Sequence, residues 1–126
     1  WSPSIEHDWS WPVSTGWSGQ HCQPIALGGD CLAAVHTERT PPGGIIVRLS
    51  EDFGRTWNDD QILRIYTPPA KPAAAEASFE DFWQSMMEWP FGHPRAVLTP
   101  EGDLLVAWYA GADDVIGMDW ARISLT

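Results

Sequence analysis

His21-Cys22-Gln23-Pro24-Ile25-Ala26-Leu27-Gly28-Gly29-Asp30-Cys31-Leu32-Ala33-Ala34-Val35-His36-Thr37 is the stretch on which the fold turns. Two mainly apolar runs flank a Gly-Gly pair. Gly28-Gly29 can take the positive φ values of a two-residue hairpin turn. His21–Ala26 therefore reads as a strand and Cys31–Thr37 as its return. C-terminal to them, Glu38–Gly44 is a loop with Pro41-Pro42 and Gly43-Gly44, and Ile45–Ser50 is a third strand. Glu51–Asn58 is a compact turn and Ile62–Tyr66 a fourth strand, giving a four-stranded antiparallel meander. On the N-terminal side Trp1, Trp9, Trp11 and Trp17 stand among Ser, Pro and Gly without periodicity, which reads as an extended lead-in.

The pattern then returns. Thr67–Ala77 is rich in Pro and Ala and reads as an exposed connection. Ser78 opens a short helix, with Phe79, Phe82, Trp83, Met86 and Met87 on one face; Pro90 limits it to about three turns. Pro94–Thr99, Asp103–Ala110 and Met118–Leu125 are three further strands, with Pro100-Glu101-Gly102 as the first turn. Superposing the copies sets His21 on His93, Gly29-Asp30 on Gly102-Asp103, Gly44 on Gly117 and Arg48 on Arg122. Leu104–Ala110 is apolar on both faces, where a half-exposed strand would alternate. Internal repetition on this scale predicts a propeller or another repeat architecture.

Composition bounds the function. The 126 residues carry 17 Asp and Glu against 7 Lys and Arg, a net charge of −10. That excludes nucleic acid as a partner, because phosphate neutralisation needs clustered cations. A hydrophobic fraction of 44% excludes a disordered acidic tail. The uncharged run Leu104–Ala112 falls far short of the ~20 residues of a membrane span. Nine Trp, eleven Gly and eleven Pro favour short strands and tight turns over a helical bundle. Residue 1 is Trp, so the chain reads as a mature product or as part of something longer. No cofactor motif is present. His21, Cys22, Cys31 and His36 lack a C-x2-C pair, so no metal site is expected.

Ser50-Glu51-Asp52-Phe53-Gly54-Arg55-Thr56-Trp57 reads Ser-x-Asp-x-Gly-x-Thr-Trp. Asp52 can accept backbone N–H bonds within the turn, Ser50 and Thr56 more weakly. Gly54 can supply positive φ, and Trp57 can bury its ring between turn and sheet. The string resembles the Asp-box (BNR repeat) of the sialidase or neuraminidase superfamily of β-propellers. The resemblance implies an all-β fold: about two blades of a six-bladed propeller, each blade a four-stranded antiparallel sheet, with a short helical insertion. Residues 1–126 then form one partial domain, with a blade at 18–66, the box at 50–57, an insertion at 67–90 and an incomplete blade at 91–126. The missing blades would come from a parent chain or from self-association.

The resemblance further implies a glycoside hydrolase that removes terminal sialic acid or a related sugar, secreted or periplasmic. The alternatives are a non-catalytic glycan-binding propeller and a structural one. The carbohydrate partner belongs to the first two. Such a site uses an arginine cluster, a Tyr nucleophile activated by Glu, and an Asp acid/base. Tyr109, Glu38 and Asp113 are the catalytic candidates at the appropriate end of the sheets. Arg39, Arg95, His21 and His93 are the ligand-binding candidates there.

Their placement follows from the meander, in which strand starts and second-to-third loops share one end, opposite the Ser50–Trp57 turn. A Gly28-Gly29 turn sets His21 opposite His36 and Cys22 opposite Val35. A three-residue Pro100-Glu101-Gly102 turn sets His93 opposite Tyr109. Cys22 and Cys31 then lie roughly 13 Å apart along the strands, beyond the about 7 Å that a disulfide spans, so both thiols are expected free.

Overall fold

The computed structural model describes residues 10–69, 90–112 and 115–125. The expected helix and most of the 67–90 insertion lie outside these residues, as does Asp113. The described residues form seven strands: β1 (Gln20–Gly28), β2 (Cys31–Glu38), β3 (Gly44–Ser50), β4 (Leu63–Tyr66), β5 (Phe91–Leu98), β6 (Leu104–Ala112) and β7 (Val115–Ile123). A short 3-10 turn, Asp59–Gln61, precedes β4; the Asn58 side chain caps it by accepting from the Asp60 N–H.

β1 to β4 make one antiparallel sheet and β5 to β7 a second, both in sequence order. Both sheets are open. Among the described residues their hydrogen-bond ladders end at β1 and β4 in one and at β5 and β7 in the other. The expected six-bladed propeller is thereby corrected: the fold is all-β with two packed open sheets, the second three-stranded among the described residues. The apolar character of β6 has a simpler origin than burial between two blades. Leu104, Val106, Trp108 and Ala110 are buried, and Leu105, Ala107 and Tyr109 between them are only half-buried. One face meets the core and the other faces outward.

The core lies between the sheets. Ala33, Val35, Ile45 and Val47 of the first sheet join Phe91, Leu104, Val106, Trp108 and Ala110 of the second in one cluster. β-Branched residues dominate the β2 and β3 contribution, as a pleated packed surface favours. β5 lies against β1, β2 and β3. Gln23 ties it there. Its Oε1 accepts from the Ala96 N–H at 2.9 Å and its Nε2 donates to the Ala96 carbonyl at 3.0 Å. The side-chain amide thus satisfies one residue's worth of the open β5 edge.

The outer face of the first sheet is also covered. Trp17 stacks on His36 with ring centroids 4.3 Å apart and meets Trp57 edge-on at 5.9 Å. His36 is fully buried; its Nε2 accepts from Arg48 Nε at 3.2 Å. Arg48 Nη1 bonds Asp59 at 2.5 Å. Burial, then the Arg48 charge, push the His36 imidazole down to about 4.

The ladders differ from the turn-based register. Gly28, not Leu27, closes the first hairpin opposite Cys31, and Ala26 pairs with Leu32. A bulge between Gln20 and Gln23 then takes in His21 and Cys22, and a second between Gly92 and Arg95 takes in His93. His21 is therefore not paired with His36, and Gln23, not Cys22, stands opposite Val35. Counted from the two bulges, Tyr109 answers Thr37 and Ala110 answers Glu38, so Gly117 answers Gly44; Arg122, opposite Leu105, answers Leu49 and not Arg48. Both cysteines are free thiols.

Candidate anion site at the sheet junction

Equivalent bulges in the two sheets build the site. His21 and His93 hold left-handed backbone conformations, with φ of 52° and 49°. Non-glycine residues seldom adopt that region, and histidine is among those enriched there. Each bulge turns its imidazole out of the ladder. The two rings, from different sheets, meet in a stack with centroids 3.8 Å apart and planes 28° apart. The Tyr109 ring lies 5.6 Å from that of His93.

Arginine completes the cluster. Arg39, just beyond β2, reaches across to the second sheet. Its Nη1 donates to the Phe91 carbonyl at 2.9 Å, its guanidinium lies 4.7 Å from the Phe91 ring centre, and its side chain hydrogen-bonds Tyr109. Gly92 makes room for this arrangement. A Cβ there would stand 2.8 Å from Arg39 Nη2 and 3.2 Å from the Tyr109 hydroxyl, at a φ of 149°. Arg95 is exposed two residues beyond His93.

The electrostatics follow from this gathering. Burial, then the charges of His93, Arg39 and Arg95, lower the His21 imidazole from its ordinary value. Burial likewise lowers Arg39, and Tyr109 opposes that shift. Two stacked imidazoles thus stand at the sheet junction, with the charges of Arg39 and Arg95 acting on His21, in a chain of net charge −10. Among the described residues no group of three or more His, Cys, Asp or Glu converges as a metal site. No helix there is long and apolar enough to cross a membrane.

The other candidate residues fall elsewhere. Glu38 Oε2 accepts from Arg64 Nη2 at 2.9 Å, and Arg64 also donates to the Gly43 carbonyl. That pairing commits Glu38 to holding the β2–β3 loop. Asp113 lies outside the described residues. Arg122 bonds Asp103 at 2.6 Å near the opposite end. Two contributors went unnoticed in the sequence, Gly92 as the spacer and Phe91 as the anchor of Arg39. The Phe-Gly-His run would signal them only if a bulge were foreseen.

The Ser50–Trp57 turn sits at the far end and bonds largely to itself. Ser50 Oγ donates to Asp52 Oδ1 at 2.8 Å and accepts from the Gly54 N–H at 2.8 Å. Asp52 accepts from the Thr56 N–H at 2.8 Å and from the Thr56 hydroxyl at 2.6 Å. Gly54 has a φ of 79° and packs against Trp57 and Leu32. Local turn chemistry accounts for every defined residue of the string.

Compared with family models, curated proteins and solved structures, the chain matches none of them. The sialidase resemblance is thereby overturned. With it go the sugar-hydrolysing activity, the leaning toward an enzyme, the Asp-box reading of Ser50–Trp57, the carbohydrate partner and the glycan-binding or structural propeller. Eight residues that close a turn by mutual hydrogen bonds are too local a signal to carry a family.

Proposed function

We propose that this protein is a binding module for a tetrahedral oxyanion group, a phosphate or sulfate, held by His21, His93, Arg39 and Arg95 with Tyr109 beside them. The observation that carries the reading is the 3.8 Å stack of two histidines contributed by equivalent bulges of the two sheets. Strained backbone at two matched positions, aimed at one point, is a mark of a site. Arginine and charged imidazole donate the charge-assisted bonds that oxyanions favour. Residues 1–126 are proposed to act as one domain, a reading supported by the core cluster shared between the sheets.

Calorimetric titration of the full chain with sodium sulfate at pH 6 tests this. The expected result is saturable binding that weakens about tenfold in Arg95→Ala, an exposed position whose loss spares the core. Binding no stronger than that of chloride, or unaffected by Arg95→Ala and His93→Ala alike, contradicts it.

A further inference from the structure

At the end of the sheets away from the histidine stack, a cleft of about 550 Å³ opens between them. Its walls are chiefly Leu27, Val47, Leu49, Leu98, Ile123 and Leu125, and the Cys31 thiol lines it as well. Its volume lies within the range of small-molecule sites, which pair apolar walls with a few polar groups. Here those groups include Ser50, Gln61 and Glu51. Glu51 is the charged residue of the lining. It is exposed, and it forms no ion pair among the described residues.

We infer that this cleft binds a small amphiphile with an apolar body and an ammonium head, the body lying between the leucines of the two sheets and the head beside Glu51. Charge decides the class of head group. Among the described residues the lining holds one carboxylate and no cation. The whole chain, at −10, further favours a cation over a carboxylate of the same length. The apolar body supplies the affinity, because leucine surface left open to water gains from any hydrocarbon that covers it. The site is separate from the oxyanion site and stands or falls without it.

Cysteine chemistry gives the readout, because Cys31 lines the cleft while Cys22 is exposed on β1 outside it. The full chain is alkylated with N-ethylmaleimide, and the rate at each cysteine is followed by peptide mass spectrometry. Decylamine, decanol and decanoate are compared below their micellar concentrations. Decylamine is expected to slow Cys31 and leave Cys22 unchanged, with decanoate the weakest of the three. Glu51→Gln, an exposed substitution, is expected to weaken the decylamine effect about fivefold and leave that of decanol unaltered. Slowing of both cysteines alike, equal effects of decylamine and decanoate, or no slowing of Cys31 by any of the three overturns the proposal.

Discussion

At the scale of single residues, two titrating groups report on different parts of the fold. His36 is buried neutral, with its imidazole lowered to about 4. The unfolded chain takes up that proton near 6.5, so the folded state loses stability as pH falls from about 6.5 to about 4 and loses no more below that. The full span corresponds to about 3 kcal/mol. Urea unfolding at pH 7 and pH 4.5 should show a drop of that order, and His36→Gln should shrink it. Asp52 works in the opposite chemical direction. Bonds from the Thr56 hydroxyl and N–H, and from Ser50, hold its carboxyl down to about 2. Its contribution is complete above about 4 and is lost as pH falls toward 2. Asp52→Ala should lower the melting temperature at pH 7 and converge with the parent below pH 2; curves that stay parallel there would show that the turn is held by something else.

At the scale of elements, most strands were legible because apolar runs and turn residues punctuate the chain clearly. Cys31–Thr37 and Ile45–Ser50 were expected, and β2 and β3 occupy those segments. What could not be read was register. A bulge adds a residue to one strand without a residue type that announces it, and two of them decide where His21 and His93 point. The sequence places both histidines at one end of the sheets. The contact between their rings follows only from the bulges. Gln23 was equally silent, since nothing local marks a glutamine that will bond both backbone groups of Ala96. Gln23→Ala should cost about 2 kcal/mol in chemical unfolding, because it strips those two groups of their partner. Gly92→Ala should be destabilising and should also disturb the site, since the added methyl collides with Arg39 Nη2.

At the scale of the whole molecule, the sequence pattern and the structure diverge in one instructive way. The internal repeat is real in the hairpins, which place His21 and His93 in matched bulges. It fails to extend to a ring because, among the described residues, each sheet keeps open edges and the two bury one shared core. The resulting molecule is polarised. One end gathers Arg39, Arg95 and two imidazoles, and the other opens an apolar cleft beside Glu51. Burial and the neighbouring His93, Arg39 and Arg95 make the His21 imidazole, stacked at 3.8 Å on its partner ring, resist taking up a proton. A bound dianion offsets that resistance, so binding should take up protons and strengthen as pH falls from 7.5 to 5.5. Sulfate is the suitable probe, because its own charge is constant over that range.

The most direct measurement is an NMR titration of the four histidines of the full chain with sodium sulfate at pH 6. The expected result is that the ring signals of His21 and His93 move together and saturate at one concentration, with His21 shifting toward the protonated position, while His36, stacked under Trp17, stays still. Signals of His21 and His93 that do not move, or that move only in step with His36, would contradict an oxyanion site at the junction of the sheets.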